Sequence, residues 1–295
     1  MSGSLAHPPR ILVLGASGML GNTLLRDLIE AGFDAWGTIR SGSSAARFPD
    51  LVRTRLSCGV DAGNIDSLMR AFDEVRPDAV INCVGLIKQL AEAGDPLSAI
   101  PINAILPHRL AKLCSVLGAR LIHISTDCVF NGEAGGYVES DVPNATDVYG
   151  RSKLLGEVDY PNAITLRTSI IGHELNSAHG LVNWFLAQQG SVPGFTGAVF
   201  SGLPTVELSR VIREFVIPRP DLSGLYHVST SPISKFHLLR LIADVYGKAV
   251  DVIPDGHLVI DRSLDSTHFR SATGYRPPAW RELIEAMRDF SLPRI

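Results

Sequence analysis

Tyr149 and Lys153 stand four residues apart in the run Tyr149-Gly150-Arg151-Ser152-Lys153. On a helix that spacing puts both side chains on one face. A phenol titrates near ~10 in water, too high for an efficient acid or base at neutral pH. A neighbouring ammonium stabilises phenolate and lowers that value, so Lys153 is expected to tune Tyr149 for proton transfer. Taken alone, the pair also fits an ordinary amphipathic helix. Upstream, Ser125-Thr126-Asp127 follows an apolar run. The Thr126 hydroxyl can donate to a carbonyl oxygen that gains charge during reaction. Asp127 is placed to orient the loop or to touch a substrate. The plainer alternative is a turn whose side chains cap their own backbone.

Near the start, Gly15-Ala16-Ser17-Gly18-Met19-Leu20-Gly21 has G-x-x-G-x-x-G spacing. Gly15 allows a tight turn, Gly18 lets the backbone approach a pyrophosphate, and Gly21 lets helix and strand pack closely. Gly15, Ser17, Gly18, Met19, Leu20 and Gly21 are therefore read as lining a dinucleotide. With the glycine turn, the Thr-bearing loop and the Tyr/Lys pair in this order, the chain is expected to bind a nicotinamide cofactor, and Lys153 can also hold its ribose.

After the second strand an acid would bind the ribose hydroxyls of NAD. Here Gly37-Thr38-Ile39-Arg40-Ser41 has none. Arg40 and Ser41 can hold a 2′-phosphate, so NADP(H) is favoured and NAD(H) stays open. A solvated surface cation is the alternative for Arg40. Asp61 and Ala62 are placed to contact the adenine or its ribose, and Asp61 fits a turn or helix N-terminus equally well.

These groups need a frame. Arg10–Leu14 reads as an apolar strand, and Met19 to Ala31 as a helix with Leu20, Leu24, Leu25 and Leu28 on one face. Gly32 ends it. Phe33–Ile39 and Val52–Ser57 read as strands, Asn64–Val75 as a helix, and Ala79–Cys83 as a fourth strand. Ile105–Leu117 reads as a helix, Arg120–Ser125 as a strand, Tyr149–Val158 as a helix and Ala163–Arg167 as a strand. This alternation predicts an α/β fold: a Rossmann-like, doubly wound parallel sheet with ligands at the strand carboxyl ends. Residues 10–172 form the expected dinucleotide-binding domain, after a flexible tail at 1–9.

Beyond it the pattern loosens, with helices near Leu181–Gln189, Val206–Phe215, Ser234–Tyr246 and Trp280–Phe290 and a strand at Gly224–Val228. Residues 201–229 are expected to return to the main sheet. Residues 173–200 and 230–295 would form a smaller C-terminal substrate-binding lobe. Its aromatics Trp184, Phe185, Phe195 and Phe200 suit core better than a nucleotide wall when each is taken singly. His173, His179 and His227 show no metal spacing, and no metal is expected. His227 reads as a satisfied buried imidazole.

The chain has 295 residues, 45% hydrophobic and 19% charged, enough to bury an ample core. A net charge of −3 without a dense Lys/Arg cluster implies neither nucleic acid nor an anionic membrane as partner. Cys58, Cys83, Cys114 and Cys128 show no C-x-x-C spacing. With no apolar h-region in Met1–Arg10 and no apolar run of transmembrane length, a cytoplasmic protein is expected.

The chain resembles an extended short-chain dehydrogenase/reductase of the dTDP-4-dehydrorhamnose reductase family. The likeness rests on Gly15–Gly21, Ser125-Thr126-Asp127-Cys128-Val129-Phe130, Tyr149–Lys153, Arg167-Thr168-Ser169, Pro204-Thr205 and Gly224-Leu225-Tyr226-His227-Val228. It implies Thr126, Tyr149 and Lys153 as catalytic residues. It also implies that Cys83, Val84, Gly85 and Asn103 lie along the cofactor. The implied reaction is reduction of a nucleotide-linked 4-keto-6-deoxyhexose in cell-surface polysaccharide biosynthesis. Three places depart from the pattern: Cys128 replaces a usual Tyr, Ile170 replaces a common aromatic, and Leu86-Ile87-Lys88-Gln89 follows the fourth strand. Lys88, Cys128 and Ile170, at these departures, would border the sugar beside Asp127. From the residues themselves, Asn183 and Trp184 could wall a nucleotide base, and Arg262 with His268 could reach the diphosphate, surface placement being equally open for these two. The sugar and nucleotide stay open. Cys128 stands where related dehydratases carry a Glu base, which disfavours dehydration. An epimerase, or a non-catalytic cofactor-binding regulatory subunit like that of methionine adenosyltransferase, is the alternative. A homodimer is compatible with the sequence.

Overall fold

The computed structural model describes residues 8–88, 91–175 and 180–290. The start of the expected tail, Gln89 and His179 lie outside them. The first β-α unit follows the pattern of the sequence. β1 (Ile11–Leu14) is wholly buried, and the helix Met19–Glu30 buries Leu20, Leu24, Leu25 and Leu28 against the sheet. Each such leucine contributes roughly 1.5–3 kcal/mol relative to exposure. β2 is Ala35–Ile39, β3 Leu56–Cys58, β4 Ala79–Asn82, β5 Arg120–Thr126 and β6 Ala163–Thr168. Two short strands, β7 (Ile170–Ile171) and β9 (Leu203–Pro204), pair with each other around the long β8 (Gly190–Phe200). β10 is Gly224–His227, β11 Ile233–Ser234 and β12 Val250–Asp261.

The main sheet runs β10-β6-β5-β4-β1-β2-β3, and every pairing in it is parallel. The order reverses at β1, between β2 and β4. The carboxyl ends of those strands therefore diverge and leave a crevice, where ligands bind in open α/β sheets. β10 adds an edge strand beside β6, as expected for residues 201–229. The helix Thr205–Val211 packs on Met19–Glu30, where Ser209 donates to Asp27 at 2.7 Å and Thr23 to Thr205 at 3.1 Å.

Some elements differ from expectation. Val52 and Arg53, read as strand, close a short helix Asp50–Arg53. Pro49 presets the backbone there and Asp50 favours a helix start, so β3 begins only at Leu56. The helix from Val148 stops at Leu155 with Gly156 behind it, three residues short of the expected Val158. The segment 190–261 holds a three-stranded sheet, β11-β8-β12, whose strands were not evident in sequence. β8 is rich in glycine and β12 is interrupted by Pro254-Asp255-Gly256, so neither reads as a strand in sequence. Against this sheet Val182, Phe185, Phe200, Leu238, Leu239 and Ile242 form a second core.

Candidate active site

The glycine turn is built by close approach. Gly15 adopts φ +79°, and a side chain there would meet Val84 beyond β4. A Cβ on Gly21 would stand 2.2 Å from the Gly15 carbonyl oxygen, so only glycine lets the helix begin against the turn. Gly18 is the exposed N-cap of Met19–Glu30 and has no side-chain cap. Its own amide is taken up by the Gly15 carbonyl at 3.0 Å, so the amides of the helix's first turn beyond it are what an anion would meet. Leu20 is 4% exposed and belongs to the core, so only its backbone borders the turn. Thr38, not singled out in sequence, accepts from the Gly15 amide at 3.2 Å.

Arg40 and Ser41 emerge exposed from the end of β2. Ser41 bonds Ser43 at 2.8 Å, and Arg40 makes no ion pair among the described residues. Asp61 accepts from the Gly63 amide at 2.9 Å, the turn role that was its alternative. Ala62 lies beside it, half-buried.

Cys83, Val84 and Gly85 leave β4 toward the crevice. Asn82, fully buried, orders them by accepting from the Val84 amide at 3.1 Å while bonding His123 at 3.1 Å. Asn103 sits in a π-helical turn, Ile100–Ile105, a local irregularity frequent at functional sites. It accepts from the Leu86 amide at 2.9 Å and donates to Ser152 at 3.2 Å. Asn103 thus clamps this loop to the helix that carries Tyr149 and Lys153.

That helix starts at Val148 because Asp147 caps it, accepting from the Gly150 amide at 2.7 Å. Lys88 reaches the other Asp147 oxygen at 2.7 Å. Tyr149 lies beside Thr126, whose hydroxyl donates to Asp127 at 3.2 Å. Thr126 ends β5 and accepts from the Cys128 amide at 3.1 Å, so it also plays the capping role that was its alternative. Burial pushes the Tyr149 phenol well up, and the nearby Cys128 adds to this while the Thr126 hydroxyl opposes it. Lys153 was expected to lower it. Instead its amine donates to the Ile124 carbonyl at 2.7 Å and is not among the groups that chiefly shift Tyr149. Lys153 itself is brought down to about 8 by burial, against the pull of Glu157 and Cys83.

Asp127 and Cys128 extend this cluster. Burial raises the Asp127 carboxyl, and Arg262, Cys128, Thr126 and Ser169 oppose the shift. Burial pushes the Cys128 thiol up to about 12. Arg262 arrives from the end of β12 and donates to the Phe130 carbonyl at 2.7 Å. Lys88, Asp127, Cys128 and Arg262 therefore gather around Tyr149 and Thr126. Ile170 is half-buried in β7. Asn183 is turned toward His173 and the Glu174 carbonyl, and Trp184 is 37% exposed. Neither is among the groups that chiefly shift Tyr149. Phe185 and Phe200 are core, and His227 is a satisfied buried imidazole between Arg167 and the Tyr137 carbonyl.

A parallel sheet with a glycine turn at its switch point and a Tyr-x-x-x-Lys helix beside a Thr-bearing loop defines an extended short-chain dehydrogenase/reductase. Over residues 9–290 the chain matches, and belongs to, the family described as RmlD substrate binding domain. It is 30% identical over 247 residues to the probable low-salt glycan biosynthesis reductase Agl14 of Haloferax volcanii, covering 80% of this chain and 79% of that one. It is 28% identical over 263 residues to the methionine adenosyltransferase 2 subunit beta of Danio rerio, covering 85% and 76%. Among solved structures it superposes on the dTDP-4-dehydrorhamnose reductase of Bacillus anthracis in complex with NADP, with a TM-score of 0.78, 23% identity and coverage of 97% and 100%.

Proposed function

We propose that this protein reduces the 4-keto group of a nucleotide-linked 4-keto-6-deoxyhexose, with NADP(H) preferred and NAD(H) accepted. The observation that carries the reading is the Tyr149 phenol standing beside the Thr126 hydroxyl at the carboxyl end of β5, one strand from the crevice at the glycine turn. The uncapped N-terminus at Gly18 and the close-packed Gly15 and Gly21 fit a dinucleotide pyrophosphate. Ser17, Met19, Cys83, Val84 and Gly85 would line it, and Arg40 with Ser41 would hold a 2′-phosphate. Bound cofactor would supply the hydride.

The remaining chemistry belongs to the chain. Thr126 would donate to the substrate carbonyl oxygen and polarise it. Tyr149 would deliver a proton to the same oxygen as it becomes a hydroxyl. Because burial keeps the phenol protonated, Tyr149 is poised as an acid, the form that reduction needs. Lys153, with a charged amine near neutral pH, would hold the ribose and favour the phenolate left behind. Asp127, Cys128, Lys88 and Arg262 would contact the sugar or its diphosphate. Ile170, Asn183 and Trp184 would follow if the segment 173–200, together with 230–290, closes over the substrate as a lobe. Residues 10–172 with 201–229 would hold the cofactor.

Purified protein mixed with NADPH or NADH and a panel of freshly generated dTDP-, UDP- and GDP-4-keto-6-deoxy sugars tests this by loss of cofactor absorbance. Oxidation with one of them supports the reading. Cofactor binding without oxidation by any would instead favour the regulatory-subunit reading, to which the likeness with the Danio rerio beta subunit points. An epimerase would convert sugars with no net loss of NADPH. We also propose a cytoplasmic homodimer. Cys58, Cys83, Cys114 and Cys128 are all free thiols, and an apolar exposed face runs over Ile65, Ile100, Ile105 and Leu155. Sedimentation of wild type and Leu155→Glu would test the dimer. No helix among the described residues is long and apolar enough to cross a membrane.

A further inference from the structure

We propose that Glu157 is a positioning residue for this site: its carboxylate ties the end of β5 to the Tyr149/Lys153 helix and sets the charge beside the Lys153 amine. The inference rests on the reductase reading for its kinetic test, but its geometry is independent of any substrate. Glu157 follows the helix that ends at Leu155, and its amide bonds the Leu154 carbonyl at 3.1 Å. Its Oε1 accepts from the Ser125 hydroxyl at 2.7 Å. Arg167, on β6, grips both carboxylate oxygens, Nε to Oε1 at 2.7 Å and a terminal nitrogen to Oε2 at 2.7 Å. The pair is sunk in the protein, at 3% and 11% side-chain exposure.

Two consecutive residues of β5 are thus held from the helix and from the residue two beyond its end. Lys153 takes the carbonyl of Ile124 and Glu157 takes the hydroxyl of Ser125. The next residue is Thr126. A bidentate Arg–carboxylate pair fixes orientation as well as contributing energy, so the Thr126 hydroxyl and the Tyr149 phenol inherit a set separation. A buried pair of this kind is weak evidence for stability in itself. Its link to the hydroxyl preceding the catalytic threonine is what gives it a role at the site. The network continues outward: Arg167 bonds His227 at 3.2 Å, and His227 meets the Tyr137 carbonyl at 3.0 Å and takes the Glu139 carboxylate on its backbone amide at 2.7 Å.

The groups that face Lys153 are few. Glu157 and Cys83 favour its charged form, the buried His123 of β5 stands close enough to feel its charge, and its amine donates to Ile124. Glu157 is the larger of the two favourable influences, against the burial that lowers the amine to about 8. Removing the carboxylate's charge while keeping its shape leaves desolvation less opposed, and Lys153 then loses its proton at lower pH.

The test is the pH dependence of kcat/KM for wild type, Glu157→Gln and Glu157→Asp, together with an NMR titration of the Lys153 amine in each. Glu157→Gln should move the alkaline limb, and the amine titration, down by about one unit. Glu157→Asp keeps the charge and should leave both near wild type even where kcat falls. Because Glu157→Gln strands Arg167, a Glu157→Gln/Arg167→Met double variant leaves no buried unpaired charge. It should show the same downward shift. An unmoved limb and amine titration in folded Gln variants would overturn the proposal. If wild type turned over no ketosugar, the reductase reading would fall, while the amine titration would still decide the role of Glu157.

Discussion

A methyl group on Gly150 would stand 2.3 Å from the carbonyl oxygen of Cys128 and 2.5 Å from the Cβ of Ala145. The residue after Tyr149 is therefore the contact that lets its helix lie against the Thr126 loop. Gly150→Ala should force the two apart. Overpacking of this kind costs about 1–3 kcal/mol, so the melting temperature should fall. Turnover should fall further than stability alone explains, because Thr126 and Tyr149 no longer share an oxygen. Thermal unfolding and kcat measured on the same preparation check this, and wild-type kcat in the alanine variant would count against the assigned geometry.

Tyr149→Phe removes the proton donor and leaves the ring. Loss of a general acid should lower kcat by about 10²–10⁴-fold. The phenol lies with Thr126 rather than in the glycine turn, so the dissociation constant for NADPH, read by fluorescence, should stay within about twofold of wild type on that argument. If Tyr149→Phe kept its turnover, the acid would have to be another group, and Asp127, whose carboxyl burial raises above its ordinary range, stands beside Thr126.

Arg40 stands exposed at the end of β2 with no ion pair among the described residues. If it takes the 2′-phosphate, Arg40→Ala should weaken NADPH and leave NADH nearly untouched. A charge-assisted hydrogen bond contributes about 1.5–3 kcal/mol, which predicts roughly a tenfold to hundredfold drop in the NADPH:NADH preference. Equal loss for both cofactors would make Arg40 a surface cation and nothing more.

Where sequence and structure agree, the local signal was chemical and periodic together. The glycine spacing, the leucine face of Met19–Glu30 and the apolar β1 all point to one unit, and Gly15 and Gly21 touch as their spacing requires. Lys88, Cys128 and Arg262, spread over more than half the chain, do meet around Tyr149. That meeting depends on β12 docking beside the Thr126 loop, where the Asp261 amide donates to the Gly132 carbonyl at 2.7 Å. No window of sequence reports such a contact. Asn82, Thr38 and Glu157 escaped notice for a related reason. Each acts through a partner on or just beyond another strand, His123 for Asn82, Gly15 for Thr38 and Ser125 for Glu157. Only Glu157 left a trace, since it continues the four-residue spacing from Tyr149 and Lys153. Asn183 and Trp184 are offered by composition alone, and the helix Leu181–Ala187 turns Asn183 toward His173 and Glu174, a placement that no local pattern announces.

The pH dependence follows from two opposed consequences of burial. Desolvation disfavours whichever form is charged. It therefore pushes the Tyr149 phenol up, so the proton donor stays loaded through the neutral and mildly alkaline range. The same effect brings the Lys153 amine down to about 8. Below that value Lys153 is an ammonium that can favour the phenolate formed in reduction, and above it the charge is gone. The rate of reduction should thus hold near neutrality and fall as pH rises through about 8, with the limb set by Lys153 and not by Tyr149. In the oxidative direction the phenol must first lose its proton, so that rate should keep climbing where the reductive rate has begun to fall. Measuring kcat/KM in both directions from about pH 6 to 10, a range that spans the ordinary His-to-Tyr titrations, separates the two groups. A reductive profile flat through 8 would mean that Lys153 keeps its proton in the working enzyme, and the burial that defines this site would have to be relieved when cofactor binds.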